Sequence, residues 1–194
     1  MYNYCFFCLT QRAEIIRQLI ERQYGYRVIS PRIVQRHWEH GQQAEKEYRY
    51  LPGYLFVYTD ERIENFAAFR QIDGVIRQLG ELESGFRLNG TDLAFAELLL
   101  QSDGVIGAQK VYQEGDRIQL CEGLLTGMSG RITKVDRQYK RMQITFMFDG
   151  LERKVWTGYD VVAKLENEEN GGTDNLDQNK YLVKDISKET VKGL

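Results

Sequence analysis

Between Tyr54 and Thr59 apolar side chains fill two interleaved rows, Tyr54, Phe56 and Tyr58 in one and Leu55, Val57 and Thr59 in the other. Successive side chains of a strand point to opposite faces, so both faces of this segment need cover and the strand belongs inside a sheet. Pro52-Gly53 starts it with a turn. Tyr2 to Leu9 has the same double row, with Tyr2, Tyr4, Phe6 and Cys8 against Cys5, Phe7 and Leu9, and is the expected neighbour. The period then changes from two to 3.6. Thr10 is the expected N-cap of a helix over Gln11 to Tyr24, in which Ala13, Ile16, Leu19, Ile20 and Tyr24 form an apolar stripe before Gly25 ends it.

Tyr26 to Ser30 reads as a second strand, interrupted by Pro31. Ile33 to Trp38 resumes an extended pattern, and the polar stretch Glu39 to Glu47 returns it toward Tyr48, which together predict a long hairpin arm. Glu61 to Gln71 predicts a helix with Ile63, Phe66, Ala67 and Phe69 buried. A strand follows over Val75 to Leu79, then a helix over Asp92 to Gln101 capped by Thr91. Strands interleaved with helices and a hairpin predict a ferredoxin-like α/β sandwich over residues 1–104.

Residues 105–113 read as a linker broken by Gly107. Beyond it the grammar is that of short strands, Arg117–Cys121, Gly130–Asp136, Met142–Phe148, Arg153–Thr157 and Asp160–Ala163. Five strands within residues 114–164 predict a small β-barrel, because an open sheet of that size leaves its apolar face bare. Residues 165–194 are polar and acidic, and such composition predicts a disordered tail. The fold class is therefore α+β.

The formal net charge of −2 over 194 residues conceals two mildly basic regions, 1–50 and 106–164, masked by the acidic tail. Nucleic-acid contact is consistent with that pattern. Arg32, Arg36, His37, Trp38 and Arg49 mix cations with an aromatic on the hairpin arm, a combination suited to phosphates and stacked bases. Arg131, Lys134, Arg137, Lys140 and Arg141, followed by Arg153 and Lys154, form a second basic set open to RNA. Tyr54, Phe56 and Tyr58 fit either packing beneath a cover or a docking face for a partner protein.

Three cysteines and no apolar run of membrane-spanning length predict a cytoplasmic protein with free thiols and no membrane contact. Cys5-x-x-Cys8 and His37-x-x-His40 supply zinc-type ligands, but the odd spacing of the cysteines on a strand sends them to opposite faces, so no metal is expected. The sequence also lacks a phosphate-binding Gly-Lys-Ser/Thr loop and a nucleophile–base pattern. Neither enzyme activity nor a cofactor is predicted.

Taken together, Tyr4-Cys5-Phe6-Phe7, Glu14, Leu51-Pro52-Gly53-Tyr54, Gly115-Asp116-Arg117-Ile118 and Gly123 to Ile132 resemble the NusG family of transcription elongation factors, over about residues 2–164. The resemblance implies an NGN domain over 1–104 and an SH3-like KOW barrel over 114–164. It implies a monomer that docks on the clamp helices of bacterial RNA polymerase, with Tyr4, Leu51, Tyr54 and Phe56 in the docking face. It also implies that the hairpin arm meets nascent RNA or non-template DNA, and that the KOW domain can recruit a ribosomal protein or Rho. Altered motif positions and the acidic tail suggest a specialised antitermination paralog of the LoaP or RfaH type. Glu64-Asn65-Phe66 stands where RfaH carries a His-Thr-Thr segment for the polymerase gate loop, and the KOW region's Val, Ile, Thr and aromatic content favours a permanent barrel over a helical state. The alternatives are a general NusG-type elongation and termination factor, a ribosome-associated KOW RNA-binding protein and, in a third class, a metal-dependent enzyme.

Overall fold

The computed structural model describes residues 1–40, 42–114, 117–121 and 130–165. The N-terminal region is built on β1 (Tyr2–Cys8), β2 (Arg27–Ile29), β5 (Tyr54–Thr59) and β6 (Val75–Gln78), in the antiparallel order β2-β5-β1-β6. Both strands with double apolar rows occupy the two central positions, as full burial of every residue of β5 requires. Between them run α1 (Ala13–Tyr24), the hairpin β3 (Arg32–Glu39) and β4 (Gln42–Arg49), and, after β5, α2 (Phe66–Arg70). This is the ferredoxin-like arrangement of strands and helices.

The helices differ in detail from their sequence patterns. α1 buries Ala13, Ile16 and Ile20 but leaves Leu19 partly exposed, and its first turn starts at Arg12 without a side-chain cap, since Thr10 lies in the preceding turn. α2 is far shorter than Glu61 to Gln71. Asn65 stops it by accepting a hydrogen bond from the Ala68 N–H at 3.3 Å, while the Ile63 N–H is taken by the Tyr4 hydroxyl at 3.1 Å. α3 spans Gly90–Gln101, so Thr91 lies inside it rather than capping it.

The expected linker carries structure. β7 (Val105–Ile106) pairs in parallel with β3, giving a three-stranded sheet β4-β3-β7, and β8 (Gln109–Glu114) opens the C-terminal sheet. Gly107 separates two short strands there instead of abolishing both. β8, β9 (Arg117–Leu120), β10 (Arg131–Asp136), β11 (Arg141–Phe148) and β12 (Leu151–Leu165) form a curled five-stranded half-barrel in the order β10-β11-β12-β8-β9. Every pairing in it is antiparallel except β12 with β8. β12 absorbs both of the last two strand segments read from sequence. Gly115-Asp116 and Gly123 to Ser129 of the KOW motif, and the expected disordered tail from residue 166, lie outside the described residues.

Two apolar cores sit on opposite sides of the N-terminal sheet. One holds Tyr4, Phe6, Cys8, Leu55 and Val57 beneath α1 and α2. The other holds Cys5, Tyr54, Phe56 and Tyr58, covered by α3 and by the inward row Met142, Ile144, Phe146 and Phe148 of β11.

Candidate partner-binding face and nucleic-acid surfaces

The Pro52-Gly53 turn sets the position of the aromatic face. Gly53 has φ +89°, and a Cβ there would stand 2.5 Å from the Cys8 carbonyl oxygen, so only glycine fits. Its own carbonyl accepts from the Cys8 N–H at 2.8 Å, tying the turn to the end of β1. Cross-strand register then pairs Cys5 with Phe56 and Phe7 with Tyr54 on one face, and Tyr4 with Val57 on the other. Tyr54 and Phe56 therefore share a face, Leu51 joins them in the same apolar core, and Tyr4 does not. Tyr4, expected from the motif in the docking face, is buried against Phe66 under the helices, with ring centroids 5.3 Å apart, on the face opposite to Tyr54 and Phe56. Phe7, partly buried, lies on the Tyr54 side with its ring 4.8 Å from that of Tyr54.

That face is covered. Phe148 lies 5.3 Å from Tyr54 and 5.5 Å from Phe56, and Phe95 of α3 packs 5.6 Å from Phe56, all as centroid separations. At its edge stands a charged cluster. The Tyr54 hydroxyl donates to Asp149 at 2.8 Å and accepts from Arg153 at 2.9 Å, while Asp149 forms an ion pair with Arg77. Arg77 also lies over the Phe7 ring, and the Asp149 N–H donates to Asp92 at 2.9 Å. Burial, followed by the Asp149 hydrogen bond, pushes the Tyr54 phenol up, and burial raises the Asp92 carboxyl. Arg153, read from sequence with the RNA-facing cations, points inward to this cluster.

The hairpin places Arg32, Arg36 and Arg49 on one face, because they alternate in register with Glu47 and Glu45. Carboxylates take up two of these arginines. Arg32 pairs with Glu47 at 2.8 Å, and Arg36 holds Asp160 of β12 at 2.8 and 3.0 Å and Glu45 at 3.2 Å. The Arg36 hydrogen bonds lower the Asp160 carboxyl and raise the guanidinium. Arg49 is exposed. His37 lies on the opposite face, 3.0 Å from the Tyr48 hydroxyl, and Trp38 is paired with Gln43 through the backbone.

Arg131, Lys134 and Arg141 lie on the outer face of β10 and β11, with Arg137 and Lys140 in the turn between them; all five are exposed. Sequence reasoning missed two aromatics on the same surface. Tyr139 and Trp156 flank the Arg141 guanidinium, with ring centroids at 5.1 and 5.3 Å. The alternation of β12 was the available signal for Trp156.

Cys5 and Cys8 fall into the two different cores, so the strand geometry separates them as their spacing requires. Burial pushes the Cys8 thiol up to about 12 and raises Cys5 well above the usual thiol range. No group of three or more His, Cys, Asp or Glu residues able to hold a metal ion occurs among the described residues. Among them, too, no helix is long and apolar enough to cross a membrane.

The family model for NusG, described as transcription termination factor nusG, matches residues 4–93. A solved structure concerned with domain interaction in Thermotoga maritima NusG is similar at 16% identity and a TM-score of 0.48, covering 81% of this chain and 93% of that one. No curated protein matches the chain.

Proposed function

We propose that the chain is a transcription elongation factor that binds bacterial RNA polymerase at the clamp helices through Leu51, Tyr54, Phe56 and Phe7. The observation carrying this reading is the Leu51-Pro52-Gly53-Tyr54 turn, which feeds an aromatic face within the residues that the NusG family model matches. Because the half-barrel covers that face, binding requires the two to part. The charged cluster at Tyr54 is an edge that water can take over when they do.

Within this class, the chain acts as a specialised antiterminator of the LoaP or RfaH type, recruited at particular operons by nascent RNA or non-template DNA. Support comes from the altered motif segment Glu64-Asn65-Phe66 and from two nucleic-acid-compatible surfaces, the hairpin arm and the outer face of the C-terminal sheet. The test is single-round transcription through an intrinsic terminator with the cognate polymerase, on templates with and without the native upstream leader. Readthrough confined to the leader template is the expected result. Readthrough on both templates identifies a general NusG-type factor, and no effect on either overturns the polymerase reading in favour of a ribosome-associated RNA-binding protein, for which the basic outer sheet is the supporting observation.

A further inference from the structure

The outer face of β10, β11 and β12 carries an excess of exposed cations. Arg131, Lys134, Arg137, Lys140, Arg141 and Lys154 are exposed on it or on its connecting turn, against two carboxylates, Asp136 and Glu152. Asp136 holds Arg141 at 2.9 Å, and Glu152 meets Lys154 at 3.3 Å and Arg131 at 3.5 Å. Cations outnumber carboxylates here three to one, whereas on the hairpin arm Glu45, Glu47 and Asp160 answer the arginines. Asp149, in the turn before β12, and Arg153 face the covered side with Tyr54, and Asp160 of β12 is held by Arg36 of the hairpin.

Aromatic rings stand among these cations. Tyr139 remains 40% exposed, and the Arg141 guanidinium sits over both its ring and that of Trp156. Asp136 fixes the first ring by accepting from the Tyr139 N–H at 3.2 Å, while fixing Arg141. Between the basic positions runs a polar row. The Thr133 hydroxyl is 3.2 Å from the Gln143 Oε1 and 3.1 Å from the Thr145 hydroxyl. An open sheet face with fixed rings, a surrounding excess of cations and central hydroxyl and amide groups matches unpaired bases, phosphates and sugar hydroxyls respectively. A duplex would keep its bases from the rings.

We propose that this face binds single-stranded RNA, with bases stacking on Tyr139 and Trp156, phosphates on Lys134, Arg137 and Lys140, and Thr133 with Gln143 reading the 2′-hydroxyl. This rests on the reading of the chain as a transcription factor that meets nascent RNA, and assigns that contact to the C-terminal sheet. It does not depend on uncovering the aromatic face, because the platform is on the other side of the sheet.

The test is fluorescence anisotropy of the full chain with a labelled mixed-sequence 12-nucleotide RNA, the matching DNA and the RNA duplex, at low and moderate salt. The unaltered protein should bind the single-stranded RNA most tightly, and Tyr139→Ala should weaken it about tenfold, within the range of one base–aromatic stack. Lys134→Gln with Lys140→Gln should weaken it further and flatten the salt dependence. Circular dichroism of each variant establishes folding. Absence of RNA binding, equal or tighter binding of DNA or duplex, or loss only in Arg32→Gln with Arg49→Gln would each overturn the proposal. Polymerase binding by the unaltered protein, measured in parallel, tests the family reading separately.

Discussion

The two faces of the N-terminal sheet are both aromatic and both buried, yet they are closed in different ways. Under α1 and α2, Tyr4, Phe6 and Phe69 pack with apolar neighbours, and the one hydroxyl at depth is satisfied by the Ile63 N–H. On the other side the cover comes from a later part of the chain. Its edge holds Arg77, Asp149, Arg153 and Asp92 around the Tyr54 hydroxyl. Buried side-chain atoms without hydrogen-bond partners, each costing about 1–3 kcal/mol, occur on both sides, the Tyr50 hydroxyl and the Arg153 Nε on this one and the Arg12 Nε beside α1. The charged edge is therefore what sets this side apart. Equal burial thus conceals unequal permanence. The helix side is a core, while the proposed function requires the other side to be an interface that parts.

Substitutions should separate the two, the largest effect coming from the core. Phe6→Ala removes a fully buried ring stacked 5.1 Å from Phe69 and should cost about 3–5 kcal/mol in global stability by denaturant unfolding. Asp149→Asn should act on the interface alone. It removes the partner of Arg77 and weakens the acceptor of Tyr54, costing about 2 kcal/mol of closure, a charged hydrogen bond's worth, seen as faster hydrogen exchange in β11 and α3 with β1 unchanged. Equal loss of protection on both sides would erase the distinction.

The smallest effect concerns the hairpin. Arg36→Gln breaks the bond to Asp160, whose carboxyl is 55% exposed, so solvent screening holds its contribution below about 1 kcal/mol. Arg36 depresses the folded-state pKa of Asp160. The stabilisation is therefore present above the ordinary carboxylate value and lost as pH falls through the depressed one. Thermal unfolding between neutral and acid pH should show a slightly steeper fall for the unaltered protein than for Arg36→Gln.

Much of this was legible in the chain. The double apolar rows of β1 and β5 demanded central strands, Gly25 closed α1 in the left-handed conformation as expected, and the β-rich runs after Arg117 became strands. The side on which Tyr4 lies was not legible, because both rows of β1 are apolar and only its register with β5 assigns them. Nor was the cover on Tyr54. Phe146 and Phe148 lie in a segment read as a barrel strand, and nothing local says that such a strand will close on another region's sheet. The short α2 escaped because Asn65 looked like one more polar helix position and acts as a cap.

Polymerase affinity with and without the Asp149 carboxylate tests the central claim most directly, because Asp149 belongs to the cover and not to the proposed docking face. Titrating the cognate core enzyme with the full-length protein should show about thirtyfold tighter binding by Asp149→Asn, the gain expected when roughly 2 kcal/mol is taken from a dominant closed state. Unchanged or weaker binding would mean that the covered aromatic face is a permanent core and that polymerase, if bound, is held elsewhere.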